Sequence, residues 1–350
     1  MFMPDKSNAI AKRKKEHIEL CLTDRVTFKD KSNGFDKYDF VHYAITEVVS
    51  DEIILKRKFF KKEINYPFLI SCMTGGSDKS EDINARLAAA AQNLKIPLGV
   101  GSQRQALVNP KFNSSYKIIR RNAPSIPILG NIGAAQVVKF DDAKPVKKLA
   151  DLIEADAMVI HVNPLQELIQ DKGEPYFKGL LKIIEKIAKN INIPLIVKEV
   201  GAGISKEAAE RLLNAGVKGI DVAGAGGTSW AGVEILRNNW DDKNYFWDWG
   251  LPTSYCIGTV NTLKKKHSFL LIGSGGINNP VDAAKALALG ADIVASARVI
   301  LQRLDKSGPE GVVQMLTGWS EVIKDIMFLT GAKNLKEFKK NKLIRKEQLY

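Results

Sequence analysis

AMVIHVNPLQE, residues 157–167, begins as a core strand and ends in four hydrogen-bonding side chains: His161, Asn163, Gln166 and Glu167. The unbroken apolar run suits a strand covered on both faces, as in a parallel sheet wrapped by helices. The polar residues follow where that strand would leave the core. In a sheet closed into a (β/α)8 barrel this is the mouth, where the chemistry of such folds is placed.

The rest of the chain has seven more such runs: FLISCM (68–73), PLGVGS (97–102), PILGNIG (127–133), PLIVKEV (194–200), GIDVAG (219–224), FLLIGSG (269–275) and ADIVASA (291–297). Amphipathic stretches separate many of them and predict helices over 82–94, 143–155, 177–190, 205–216 and 279–290. Ser205 is a helix-start signal, and Gly216 and Gly290 are stop signals. Strand and helix alternating through eight strands predict an α/β protein of (β/α)8 (TIM) barrel class. A doubly wound open sheet is the alternative, and the count of eight favours the barrel. The boundaries expected are an N-terminal extension over 1–64, a barrel over 65–335, close to the roughly 250 residues typical of the fold, and a basic tail over 336–350.

The 350 residues are 45% hydrophobic and 26% charged, an ordinary globular composition. Lys and Arg exceed Asp and Glu by 52 to 39, a net charge of +13, so an anionic ligand is expected. No basic stripe interleaved with aromatics points to nucleic acid. No apolar run approaches the roughly 20 residues of a membrane span. Cys21, Cys72 and Cys256 are odd in number and far apart, which predicts a reducing compartment and no disulfide framework. A cytoplasmic location is expected.

The other seven strand ends are also glycine-rich or polar. The first ends in Met73-Thr74-Gly75-Gly76, the second in Gly101-Ser102-Gln103-Arg104, the third in Gly130-Asn131-Ile132-Gly133 and the fifth in Lys198-Glu199. The sixth ends in Gly224-Ala225-Gly226-Gly227-Thr228, the seventh in Gly273-Ser274-Gly275-Gly276 and the eighth in Ser296-Ala297-Arg298. Phosphate is commonly held by the loops after strands seven and eight. Gly275 and Gly276 offer unhindered N–H groups there, and Arg298 adds a charge-assisted bond. A phosphate-bearing cofactor is expected, with flavin mononucleotide (FMN) the natural candidate. Lys198 would lie beneath its ring, near N1 and the C2 carbonyl, where a fixed cation stabilises the anionic reduced form. Arg13, Lys14, His17, Ser102 and Arg104 together would suit a diphosphate. Glu167 with diphosphate oxygens is the usual arrangement for Mg2+.

The set RKKEH, MTGG, GVGSQR, GNIG, HVNPLQE, VKEVG, GAGGTSWAGVE, WGLPT and GSGGI resembles the type 2 isopentenyl-diphosphate Δ-isomerases over residues 10–331. HVNPLQE with GVGSQR is specific to them, whereas GSGGI is shared by many flavin barrels. The resemblance implies interconversion of isopentenyl and dimethylallyl diphosphate on a (β/α)8 barrel. It also implies reduced FMN as acid/base, NADPH or NADH as reductant, Mg2+, and a tetramer or octamer.

Carried over by position, Arg13 and Lys14 would bind diphosphate with His17, Ser102 and Arg104 close by, and His161, Asn163 and Gln166 would face the substrate. Met73, Thr74, Gly75, Ser102, Asn131 and Lys198 would border the flavin. Thr228, Gly275, Gly276, Ala297 and Arg298 would hold its phosphate and ribityl chain, and Glu167 would hold Mg2+. Where some relatives have a hydroxyl residue, this chain has Ala223, so one hydrogen bond to FMN is expected to be missing or replaced. Two competing functions are an FMN-dependent oxidoreductase of a hydroxy acid or nucleotide, and a non-catalytic barrel binding a phosphorylated ligand or RNA. The segment Trp240–Trp249, with tryptophans at 240, 247 and 249, reads as a lid or an interface.

Overall fold

The computed structural model describes residues 6–76, 78–340 and 342–349. Eight parallel strands close into a barrel: β1 Phe68–Ile70, β2 Leu98–Gly99, β3 Ile128–Gly133, β4 Ala157–His161, β5 Leu195–Lys198, β6 Gly219–Asp221, β7 Leu270–Ser274 and β8 Ile293–Ser296. Closure comes from β8 against β1, with Val294, Ala295 and Ser296 opposite Phe68, Leu69 and Ile70. The strands are shorter than the apolar runs because most of the runs also supply the first residues of the loop above them.

Both faces of each strand are buried, which is why the runs do not alternate. Met158, Ile160, Leu195, Val197 and Ile220 face the helices. Leu69, Leu129, Val159, Ile196, Ile272 and Ala295 fill the barrel interior. Since side chains alternate along a strand, the inward series climbs two residues at a time and turns polar at the top. Leu129 gives way to Asn131, Val159 to His161, Ile196 to Lys198 and Ile272 to Ser274. The register sets Gly133, His161, Lys198 and Asp221 side by side across four strands. The polar end of AMVIH is thus one segment of a ring that roofs an apolar core.

The five predicted helices all form, at Asp78–Leu94, Lys144–Leu152, Leu180–Asn190, Lys206–Asn214 and Pro280–Ala288. Ser205 caps its helix by accepting from Ala208 N at 3.2 Å. Gly216 and Gly290 end theirs at φ 90° and 121°. The long helix Arg298–Leu329 is broken at Gly308, φ 69°, just before Pro309.

The terminal segments attach to the barrel from both ends. Arg57–Phe59 and Lys62–Ile64 form an antiparallel hairpin that plugs the bottom, with Phe59 and Ile64 packed into the interior cluster. Lys62 holds Asp156 at 2.8 Å and Arg57 holds Asp292 at 3.4 Å, just before β4 and β8. The C-terminal Leu343–Arg345 pairs antiparallel with Tyr38–Phe40, and Lys339 reaches Asp292 at 2.6 Å. Phe59 is 1% exposed, so Phe59→Ala leaves a cavity that little can fill. The expected loss is about 3–5 kcal/mol, read as a lower urea midpoint with an unchanged slope.

Candidate active site

One cavity occupies the top of the barrel, with about 1730 Å³ of atom-free space counting its open mouth. That is room for more than one small ligand. All nineteen residues singled out from the sequence line it, and they sort into a floor, a glycine wall and a cationic rim.

The floor is polar and firmly held. His161 Nδ1 lies 2.8 Å from Asn131 Oδ1, and Asn131 Nδ2 donates to Val100 O at 3.2 Å. Since the amide oxygen only accepts, Nδ1 carries the proton and Nε2 keeps its lone pair. Burial, then Lys198 and Lys14, push His161 down to about 3, so it is uncharged at neutral pH. Lys198 Nζ donates to Glu199 O at 2.5 Å. The Glu199 carboxylate plays no part in the cavity. It folds the loop after β5 by accepting from Val200 N and Gly201 N, both at 2.6 Å.

The glycine wall lies where the loops after β6 and β7 cross. Gly275 and Gly276 have φ of 105° and 70°, and a Cβ on either would strike the carbonyl of Gly224 or Gly226. A Cβ on Gly227 would come 2.5 Å from Gly276 N. These loops can pass only as bare backbone, which leaves a wall of the kind that takes phosphate. Arg298 reaches Asp24 Oδ1 at 2.8 Å and Thr23 O at 3.2 Å, so it also ties down the strap after the N-terminal helix. Ala223, at φ 34° and 3% exposed, lines the same wall. Gly75 lines the cavity, and a Cβ on Gly75 or Gly76 would meet the buried ring or hydroxyl of Tyr116.

The rim comes largely from the helix Lys6–Cys21, whose residues Arg13, Lys14 and His17 line the mouth. Lys14 Nζ donates to Ser102 O at 3.1 Å and to Gly75 O, and meets the Tyr116 hydroxyl at 3.3 Å. Burial, then Arg13 and Arg104, bring Lys14 down to about 7. On the opposite side His17 Nε2 donates to Glu234 Oε1 at 2.8 Å, and its ring stands edge-on to Trp230. Gln166 Nε2 reaches the same oxygen at 3.4 Å. The helix thus spans the mouth from β1–β2 to the helix after β6. Sequence reasoning assigns no role to Glu234, the last residue of GAGGTSWAGVE, and misses Tyr116. Each lies within a helix pattern, and only the fold shows what it reaches.

Glu167 is 7% exposed. Its oxygens accept from Asn163 Nδ2 at 3.1 Å, Gln170 Nε2 at 3.4 Å and Glu174 N at 2.8 Å. Asn163 Oδ1 beside it is buried without a hydrogen-bond partner. A buried carboxylate next to an unmet oxygen acceptor fits a hard cation, held directly or through water. Among the described residues, no group of three or more His, Cys, Asp and Glu side chains is arranged to hold a metal. The Trp240–Trp249 segment clasps the strap from outside. Trp247 Nε1 donates to Thr27 O at 2.8 Å, and Asp248 accepts from Lys29 N and Asp30 N at 2.9 and 2.7 Å.

The family model for FMN-dependent dehydrogenases matches residues 161–345, the half of the chain that carries the glycine wall, Lys198 and the strand-four motif. The fold and site therefore define an FMN-dependent barrel enzyme. Among solved structures the chain superposes on a putative lactate oxidase of Pediococcus acidilactici with a TM-score of 0.69 and 19% identity, covering 99% of this chain and 95% of that one. A mandelate oxidase gives 0.66 and 15%, covering 97% and 98%. At such identities these likenesses establish the fold alone. Sequence relatives go further: the isopentenyl-diphosphate delta-isomerase of Chlorobium limicola is 42% identical over 98% of both chains. That of Pyrococcus furiosus is 41% identical over 96% of this chain and 87% of its own. The chain belongs to the isopentenyl-diphosphate delta-isomerase family.

Proposed function

We propose that the protein isomerises isopentenyl diphosphate to dimethylallyl diphosphate, with FMN as its cofactor. The observation that carries this is the cationic rim of Arg13, Lys14 and Arg104 above a polar floor that carries Lys198, in one cavity with the glycine wall. A diphosphate fits the rim, and the flavin phosphate fits the wall of Gly227, Gly275 and Gly276.

Moving the double bond adds a proton at one carbon and removes another nearby. When bound, reduced FMN supplies that acid/base chemistry, with NADPH as the reductant. The chain's own groups position and shield. His161 stays neutral and offers Nε2 as an acceptor; Asn163 and the non-titrating amide of Gln166 orient the substrate. Lys198 holds a positive charge at the floor, beneath the position assigned to the ring. Ser102, Met73, Thr74 and Asn131 border that ring, and Thr228, Ala297 and Arg298 border its phosphate end. Glu167 would be the single protein carboxylate on Mg2+, with diphosphate oxygens completing the set. The helix carrying Arg13 and His17 restricts water at the mouth.

Cys21, Cys72 and Cys256 are free, in keeping with a reducing, cytoplasmic setting. No helix among the described residues is long and apolar enough to cross a membrane. A homo-oligomer of four or eight copies completes the proposal.

The test is anaerobic. The purified protein is incubated with isopentenyl diphosphate, Mg2+ and FMN, with and without NADPH, and dimethylallyl diphosphate is followed by proton NMR. Product is expected only with the reductant present. Bound flavin with no product in either tube would overturn the isomerase and favour an FMN-dependent oxidoreductase.

Lys14 gives a second expectation. Its pKa of about 7 leaves it mostly neutral at pH 8. A bound polyanion raises that pKa, so on binding inorganic diphosphate wild type should take up as much as about one more proton per site than a variant without Lys14 at pH 8, and the two should differ little at pH 6. Calorimetry in buffers of different ionisation enthalpy measures this uptake. Lys14→Met, which cannot titrate, should lose it.

A further inference from the structure

Arg104, assigned to the substrate's diphosphate, is already paired in the protein. Its Nη2 lies 3.2 Å from Glu174 Oε1, and both side chains are 28% exposed. The other Glu174 oxygen takes Lys139 Nζ at 3.0 Å and Gln136 Nε2 at 3.3 Å. The Glu174 backbone N–H donates to Glu167 Oε2 at 2.8 Å. Glu174 therefore contacts two groups of the substrate reading at once, its carboxylate on the guanidinium and its amide on the proposed metal ligand. It sits in the loop after the short helix Pro164–Ile169, with Lys172 just before it at φ 53°. Gln136 lines the cavity together with Arg104 and Glu167.

The carboxylate oxygen on the guanidinium has the same sign of charge and the same accepting role as a phosphoryl oxygen would have there. Resting on the substrate reading above, we propose that Glu174 is an intramolecular counter-ion which the substrate's diphosphate displaces from Arg104. Arg104 then exchanges one anion for another and is never left bare, while Lys139 and Gln136 retain Glu174 at the edge of the cavity. Lys139, 55% exposed, can follow the carboxylate outward without a desolvation cost. Affinity for the diphosphate is consequently the difference between two ion pairs on one guanidinium, and Glu174 sets it without touching the reacting carbons.

The experiment is a double-mutant cycle on the flavin-loaded protein. Inorganic diphosphate is titrated by calorimetry, without added metal, into wild type, E174Q, R104A and the double variant. Glutamine keeps the shape and the hydrogen bonds to Lys139 and leaves the loop in place. E174Q should bind diphosphate about tenfold more tightly than wild type, the scale of removing one competing charge at a partly exposed pair. In the R104A background the same change should shift binding less than about twofold. Equal or weaker binding by E174Q would make Glu174 a residue that holds Arg104 in place for the ligand, and the proposal would fall. An undiminished gain in the R104A background would reduce the effect to net charge and also overturn it. If wild type binds no diphosphate and R104A changes nothing, the substrate reading fails and takes the proposal with it.

Discussion

Lys198→Met should leave a yellow protein that isomerises on the order of 100- to 1,000-fold more slowly, the scale of removing one preorganised charge from a closed site. Lys198 comes from the top of β5, level with His161 and Asp221 on its neighbours, and the strand leaves it no other direction than inward. Methionine keeps the length of the stem while deleting the charge. The glycine wall is untouched, so FMN should still bind, as its absorbance will report. What changes is the balance between oxidised and reduced flavin. With no cation at the floor the anionic reduced form is less stable, and the midpoint potential should move to more negative values. The shift for this two-electron couple is about 30 mV for each 1.4 kcal/mol of lost stabilisation. Slow turnover with an unchanged potential would mean that Lys198 acts on the substrate.

The barrel was legible because a strand buried on both faces cannot hide its composition. Eight apolar runs gave eight strands, in order. The site was legible for a related reason: the inward positions turn polar at the strand ends, and polar side chains at the end of a core strand need a mouth to face. The parts that escaped lack a local signal. Arg57-Lys58-Phe59 and Lys62-Glu63-Ile64 read as a charged surface stretch, yet Phe59 and Ile64 are barrel core. Only one side chain in three of that hairpin is apolar, because only one face of it, with Phe59 and Ile64, meets the barrel interior. The pairing of Tyr38–Phe40 with Leu343–Arg345 joins segments some 300 residues apart in sequence, and no pattern within either announces the other. Glu234 closes the motif GAGGTSWAGVE, but the motif gives it no role. That role shows only when the fold sets His17, Gln166 and Arg237 around it.

Glu167→Gln should have the second large effect, and its signature separates metal from structure. In the wild type both carboxylate oxygens accept, one from Asn163 Nδ2 and the other from Gln170 Nε2 and Glu174 N. An amide can accept on one side only, so one of those donors would face an NH2 group. That local conflict should destabilise the protein by about 1–3 kcal/mol, seen as a lower melting temperature whether or not Mg2+ is present. The larger effect is on the cation. A neutral amide oxygen is a far poorer ligand for a hard divalent ion than a carboxylate. Turnover at limiting Mg2+ should fall on the order of 100-fold or more, with part of the loss recovered as Mg2+ is raised. FMN absorbance and the flavin potential should stay where they are, since the glycine wall and Lys198 lie apart from this corner. A Mg2+ dependence identical to that of wild type would remove Glu167 from the metal. Its three hydrogen bonds would then make it the brace of the loop that carries Glu174.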